Sequence, residues 1–132
     1  MSGAFALPPS LADLESLAER ALTTIPTELK RHLGRVVIHV EEFPDAETEA
    51  DMELESPFDI LGLYRGVALP RKSVMDARAE PDMIFLYRRP ILDYWCETGE
   101  DLYAVVRHVL IHEIGHHFGF SDDDMDRIEG DG

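Results

Sequence analysis

The chain has a single cysteine, Cys96, among 132 residues. One thiol cannot form a disulfide within the chain, which suits a reducing compartment. Cys96 lies beside aromatics in "DYWCETG" and reads as a packed small residue, not a nucleophile. No apolar run is long enough to span a bilayer. The start, "MSGAFALPPS", lacks a basic region and has only a short apolar run before two prolines, so no signal peptide is expected. The expectation is a cytoplasmic protein. Positive charge is also scarce: 12 Lys and Arg face 27 Asp and Glu, for a net charge of -15. Such a surface repels phosphate backbones and anionic membranes, so neither nucleic acid nor membrane is an expected partner.

Apolar residues make up 45% of the chain, which suffices for a packed core. The length suits one compact domain over 1–132. Ser10 opens "SLADLESLAERAL", whose apolar residues recur at helical spacing, and Ser10 with Asp13 forms a capping-box pattern. Pro26 ends that helix, and a short helical piece over 27–33 stops at Gly34. Three strands are predicted, at 36–40, 60–65 and 83–87, the last ended by Pro90. A loop is predicted at "PRKSVMDARAEP" and a short helix at 91–96.

Residues 41–59 carry acidic groups and no basic one, without a clean period. They read as an exposed acidic loop, centred on about 43–58, with a short strand or turn at 52–54. A long amphipathic helix is predicted over 100–118, with Thr98 and Asp101 as its capping pair and Gly119 as its stop. A last short helix is expected over about 122–128. Helices and strands mix without regular βαβ alternation, so the class is α+β.

The long helix ends in "HVLIHEIGHHFGFSDDDM", which holds four of the six histidines. Within it, His112-Glu113-Ile114-Gly115-His116 is an HExxH pattern. Residues four apart on a helix differ by roughly 40° in azimuth, so His112 and His116 point the same way and can share one metal ion. Glu113 lies about 100° round, where it can reach water on that ion but not readily the ion itself. That is the place of a general base. A catalytic zinc needs a third protein ligand and one open position.

Gly119 and Asp122 complete HExxHxxGxxD. A glycine permits a left-handed turn that brings the residue three later back toward the ion, and a carboxylate is an acceptable zinc ligand. Asp123, Asp124, Asp126 and Glu129 stand nearby as alternative ligands. The other use of such a cluster is N-capping of the next helix. His108 and His117 read as packed or exposed, with His108 in reach of the site. His32 and His39 show no partner pattern. Tyr87, Tyr94 and Tyr103 are available to hydrogen-bond a developing oxyanion.

The motif resembles the HExxHxxGxxH of metzincin peptidases, with Asp122 in place of the last histidine. Only ten residues follow Asp122, so a normal Met-turn cannot fit, although Met125 can pack beneath the site. "LGLYRGV", "IFLYRRPIL" and "HVLIHEIGHHFGFSDDDM" together resemble a family of small bacterial zincin-like metallopeptidases, over about residues 36–126. That resemblance implies a minimal zincin-like fold: a small mixed β-sheet packed on an active-site helix, with an N-terminal and a short C-terminal helix. It implies Zn²⁺ on His112, His116 and Asp122, with Glu113 as base, hydrolysing a peptide or protein substrate. The edge of strand 83–87 is a place where an extended peptide can lie.

Two other readings remain. A non-catalytic zinc-binding interaction module would close the metal with a fourth protein ligand. A metal-dependent ribonuclease is disfavoured by Glu113, where that pattern carries glycine, and by the negative charge. Manganese, iron or nickel can replace zinc on such ligands. Oligomeric state is not legible.

Overall fold

The computed structural model describes residues 7–66 and 81–131. In chain order the elements are α1 (Leu11–Leu22), α2 (Thr27–Lys30), β1 (Val36–Glu41), α3 (Ala46–Asp51), β2 (Gly62–Arg65), β3 (Asp82–Tyr87), α4 (Arg88–Thr98), α5 (Leu102–His117) and α6 (Asp122–Asp131). The class is α+β, as predicted. The loop predicted at "PRKSVMDARAEP" lies almost wholly outside the described residues.

The sheet is small and mixed, in the order β1-β3-β2. β1 pairs with β3 in parallel, and β2 pairs with β3 antiparallel. The strand predicted at 83–87 is therefore the middle strand, hydrogen-bonded on both sides. It offers no edge to a peptide. Its residues Ile84, Leu86 and Tyr87 are buried, as expected of a strand covered by neighbours.

One core joins helices and sheet. Leu14, Ala18 and Ala21 of α1 pack with Ile38, Ile84 and Leu86 of the sheet. α5 supplies the largest share, from Leu102 to Ile114. Its buried residues include Val105, Val106, Val109, Leu110 and Ile111, so it is enclosed on most of its circumference. β2 approaches it closely at Gly62, where a β-carbon would come within 2.9 Å of Val109 Cγ1 and of the Phe85 carbonyl oxygen.

Local chemistry sets the ends of the elements. Ser10 and Asp13 form the expected capping box on α1. Asp101 alone caps α5, accepting from the Ala104 N–H at 3.1 Å. Thr98 belongs to α4 instead, because Gly99 at φ +70° turns the chain between the two helices. α4 is longer than expected and begins at Arg88. Pro90 sits in its first turn, where no helical acceptor exists for an N–H in any case. Cys96 is exposed, contrary to expectation. α4 turns Pro90 and Ile91 inward and leaves the thiol on another side.

The acidic stretch is not simply a loop. Asp45 caps α3 through the Thr48 N–H at 2.7 Å, and Thr48 is buried. Glutamates in the first turn favour such a helix electrostatically. Glu53, at φ 53°, ends it in a left-handed turn. The Glu53 N–H bonds to the Ala50 carbonyl and the Leu54 N–H to the Glu49 carbonyl. The buried face consists of a threonine, so no apolar period betrays the helix.

Candidate metal centre

α5 leaves one face uncovered near its C-terminus, and His108, His112 and His116 climb it one turn apart. The helix stops as its sequence dictates. Gly119 adopts φ +85°. The Gly119 N–H bonds to the His116 carbonyl at 3.2 Å, and the Phe120 N–H to the Gly115 carbonyl at 2.9 Å. This is a Schellman turn, and its left-handed residue is nearly free of cost only for glycine.

Ser121 then starts α6. Its hydroxyl accepts from the Asp124 N–H at 3.0 Å, while the Asp124 carboxylate accepts from the Ser121 N–H at 3.2 Å. The two roles of the acidic cluster are thus divided. Asp124 is occupied by capping. Asp122 turns to His116, with Oδ1 3.2 Å from Nε2. Met125 is fully buried and packs on Gly115, below the histidines.

His112 is the inner histidine. Its side chain is 19% exposed, against 54% for His116 and 81% for Asp122. Nε2 of His112 is buried without a hydrogen-bond partner among the described residues. Glu129 Oε1 is 3.5 Å from it, too far for a sound hydrogen bond. Burial pushes the His112 pKa below its ordinary value, and the neighbouring His108 adds to this, while Glu129 opposes it. The shift favours the neutral imidazole, the form that binds metal. Ligand atoms of His112, His116 and Asp122 lie within 4.8 Å of one another. A buried ring nitrogen without a hydrogen-bond partner among the described residues, beside a second imidazole and a carboxylate, fits a divalent cation.

Glu113 sits one residue round the helix and is half-buried. Burial raises its pKa above the ordinary carboxyl value, while the neighbouring His116 and a hydrogen bond from the Tyr64 N–H work against that shift. The sheet explains this donor. Tyr87 and Leu61 make a ladder hydrogen bond. By antiparallel alternation, Tyr64 then points its N–H away from β3, toward the outer side of β2.

The family model for zincin-like metallopeptidases matches residues 33–131 of this sequence. The chain belongs to the zincin-like metallopeptidase family. A comparison with curated protein sequences gives no match.

In this zincin-like chain the three tyrosines expected near the site have other partners. Tyr87 is buried in the sheet, and burial pushes its pKa up to about 12. Tyr94 hydrogen-bonds Glu100 at 3.3 Å, and Tyr103 carries the guanidinium of Arg20 over its ring at 5.0 Å. The tyrosine whose backbone N–H reaches Glu113 is Tyr64, which motif spacing did not indicate. Its ring stacks on His117 at 4.0 Å between centroids, and its hydroxyl donates to Asp82 at 2.5 Å. Burial and this acceptor raise its pKa strongly. The signal near it was the glycine-flanked "LGLYRGV", read as a strand and as part of the family resemblance, with no role given to Tyr64. His117 is thus a stacked surface group, and His32 lies against the rings of Phe118 and Phe120. His39 contacts Glu41 at 3.2 Å, away from the motif. No helix among the described residues is long and apolar enough to cross a membrane.

Proposed function

We propose that this zincin-like chain is a zinc-dependent peptidase, with zinc held by His112, His116 and Asp122 and with Glu113 as general base. One observation carries the reading: ligand atoms of three residues lie within 4.8 Å of one another, and Nε2 of His112 is buried without a hydrogen-bond partner among the described residues. Glutamate stands at the next helix position, half out of water.

Zinc bound there supplies Lewis acidity, which lowers the pKa of its water and polarises the scissile carbonyl. The chain's own groups do the rest. Glu113 takes the proton from the attacking water and later delivers it to the leaving amine. Its raised pKa suits both halves of that task, because a very weak base could not take the proton. The Tyr64 N–H orients the carboxylate. Asp122 Oδ1, 3.2 Å from His116 Nε2, stands where the two atoms would share one ion. An extended substrate lies along the outer side of β2, where no other described strand pairs.

Elemental analysis of untagged protein, beside Asp122→Ala, tests the ligand set. Near-stoichiometric zinc that falls sharply in the variant is expected. Absence of metal in native protein, even after zinc is added and the excess removed, overturns the reading. A zinc held only for structure has one observation in its favour, the carboxylate of Glu129 at 3.5 Å from His112. A bound zinc with no exchangeable water would select that reading.

A further inference from the structure

His112 belongs to two clusters. Asp122 and Glu129 stand seven residues apart on α6, two turns along the same face. Asp122 meets His116, and Glu129 meets His108. Glu129 Oε1 lies 2.9 Å from His108 Nδ1 and 3.5 Å from His112 Nε2. Ligand atoms of His108, His112 and Glu129 also lie within 4.8 Å of one another. The rings of His108 and His112 are 4.0 Å apart between centroids.

These separations have the scale of a coordination sphere. Zinc bonds of 2.0–2.1 Å in a tetrahedron set adjacent ligand atoms roughly 3.3–3.4 Å apart. An ordinary hydrogen bond between His108 and Glu129 accounts for the shorter distance alone. It does not account for the same carboxylate oxygen facing Nε2 of His112, which is buried without a hydrogen-bond partner among the described residues. Two imidazoles and one carboxylate oxygen suit zinc, cobalt or nickel better than calcium or magnesium.

We propose that His108, His112 and Glu129 form a second divalent-metal site of the zinc class, overlapping the first at His112. Nε2 of His112 has one lone pair and serves one ion at a time. The two sites are therefore alternative registers for a single ion, one turn of α5 apart. The His108–Glu129 register holds the ion away from His116 and Asp122. This site shares His112 with the proposed peptidase centre but does not depend on peptidase activity.

Cobalt(II) titration of the full chain, followed by visible absorption, tests it. In the double variant His116→Ala/Asp122→Ala, both substituted side chains are exposed, so the core is left intact. That variant is expected to bind one equivalent of Co²⁺, and adding either His108→Ala or Glu129→Gln is expected to abolish the spectrum. No Co²⁺ bound to the folded double variant would overturn the second site. So would a Co²⁺ spectrum that survives both additions. Should the double variant fail to fold, His116→Ala alone carries the same test, since it leaves the first cluster with two ligands and the second with three. In the native background, His108→Ala/Glu129→Gln reports on the other cluster. Co²⁺ retained there, with none in the folded double variant, means that only the first site exists. Binding by neither means that both readings fall.

Discussion

A β-carbon on Gly115 would stand 2.2 Å from Sδ of Met125 and 2.8 Å from its Cγ. The glycine inside the HExxH motif is therefore the seat on which α6 rests against α5. Met125 has no exposed surface to retreat into. Gly115→Ala sets two effects against each other. Helix propensity favours alanine by about 1 kcal/mol. Overpacking of a filled core costs about 1–3 kcal/mol, and at this separation it wins. The variant should be destabilised in urea unfolding. Met125→Ala should recover part of the loss when combined with it, although it is destabilising alone. A Gly115→Ala chain as stable as native would show that α6 does not sit so close.

Gly119 faces open space, so its constraint is conformational only. At φ +85° an alanine costs about 1–2 kcal/mol. The strain acts on the turn that leads from His116 to Asp122. Gly119→Ala should lower stability by about that amount and weaken zinc retention against a chelator. Gly34→Ala is the control, since a β-carbon there also meets nothing and the φ is ordinary.

Glu113→Gln keeps the shape of the side chain and removes its basicity. Peptide hydrolysis should fall by about 10²–10⁴-fold, the usual contribution of a positioned base. Zinc content should not change. A peptide-library assay paired with elemental analysis separates the two. Undiminished hydrolysis would remove Glu113 from the mechanism.

Bound zinc should stabilise the fold by mass action. At free zinc one hundred times its Kd, the gain is about 2.7 kcal/mol. His112→Ala removes the ligand common to both clusters, and its Tm should no longer respond to zinc or to a chelator. A zinc-dependent Tm in that variant would place the metal elsewhere.

Tyr87 gives a pH signature away from the metal. Its pKa is about 12 in the folded chain, against an ordinary value of 10.0. The folded chain keeps this proton where the unfolded chain has lost it. Stability from this group is thus fully present below pH 10 and is lost as pH rises through about 12. Tyr87→Phe should show a shallower decline between those values in urea titrations. Some slope should remain, because the Tyr64 pKa is raised as well.

Much of the fold was legible where the signal is local. A β-branched run marked β1, an apolar and aromatic run marked β3, Ser10 with Asp13 marked the start of α1, and Gly119 marked the end of α5. α3 was missed because its buried face is Thr48, which leaves no apolar stripe among the acids. The start of α4 was missed because Pro90 reads as a breaker, although the first helical turn tolerates it. Tyr64 and Glu129 entered the site without any motif spacing to announce them.

The spacing of residues along α5 was enough to put His112 and His116 on one face and Glu113 beside them, because helical periodicity is a property of the local chain. The glycine at 119 likewise carries its own left-handed turn. Sequence could not say which of five neighbouring carboxylates face the histidines. The packing of Met125 on Gly115 and the capping of α6 by Ser121 and Asp124 decide that orientation. Together they turn Asp122 toward His116 and Glu129 toward His108. Nor could sequence put β3 in the middle of the sheet and expose the outer side of β2 beside Glu113. Strand order rests on contacts between segments far apart in the chain, and only the assembled core decides them.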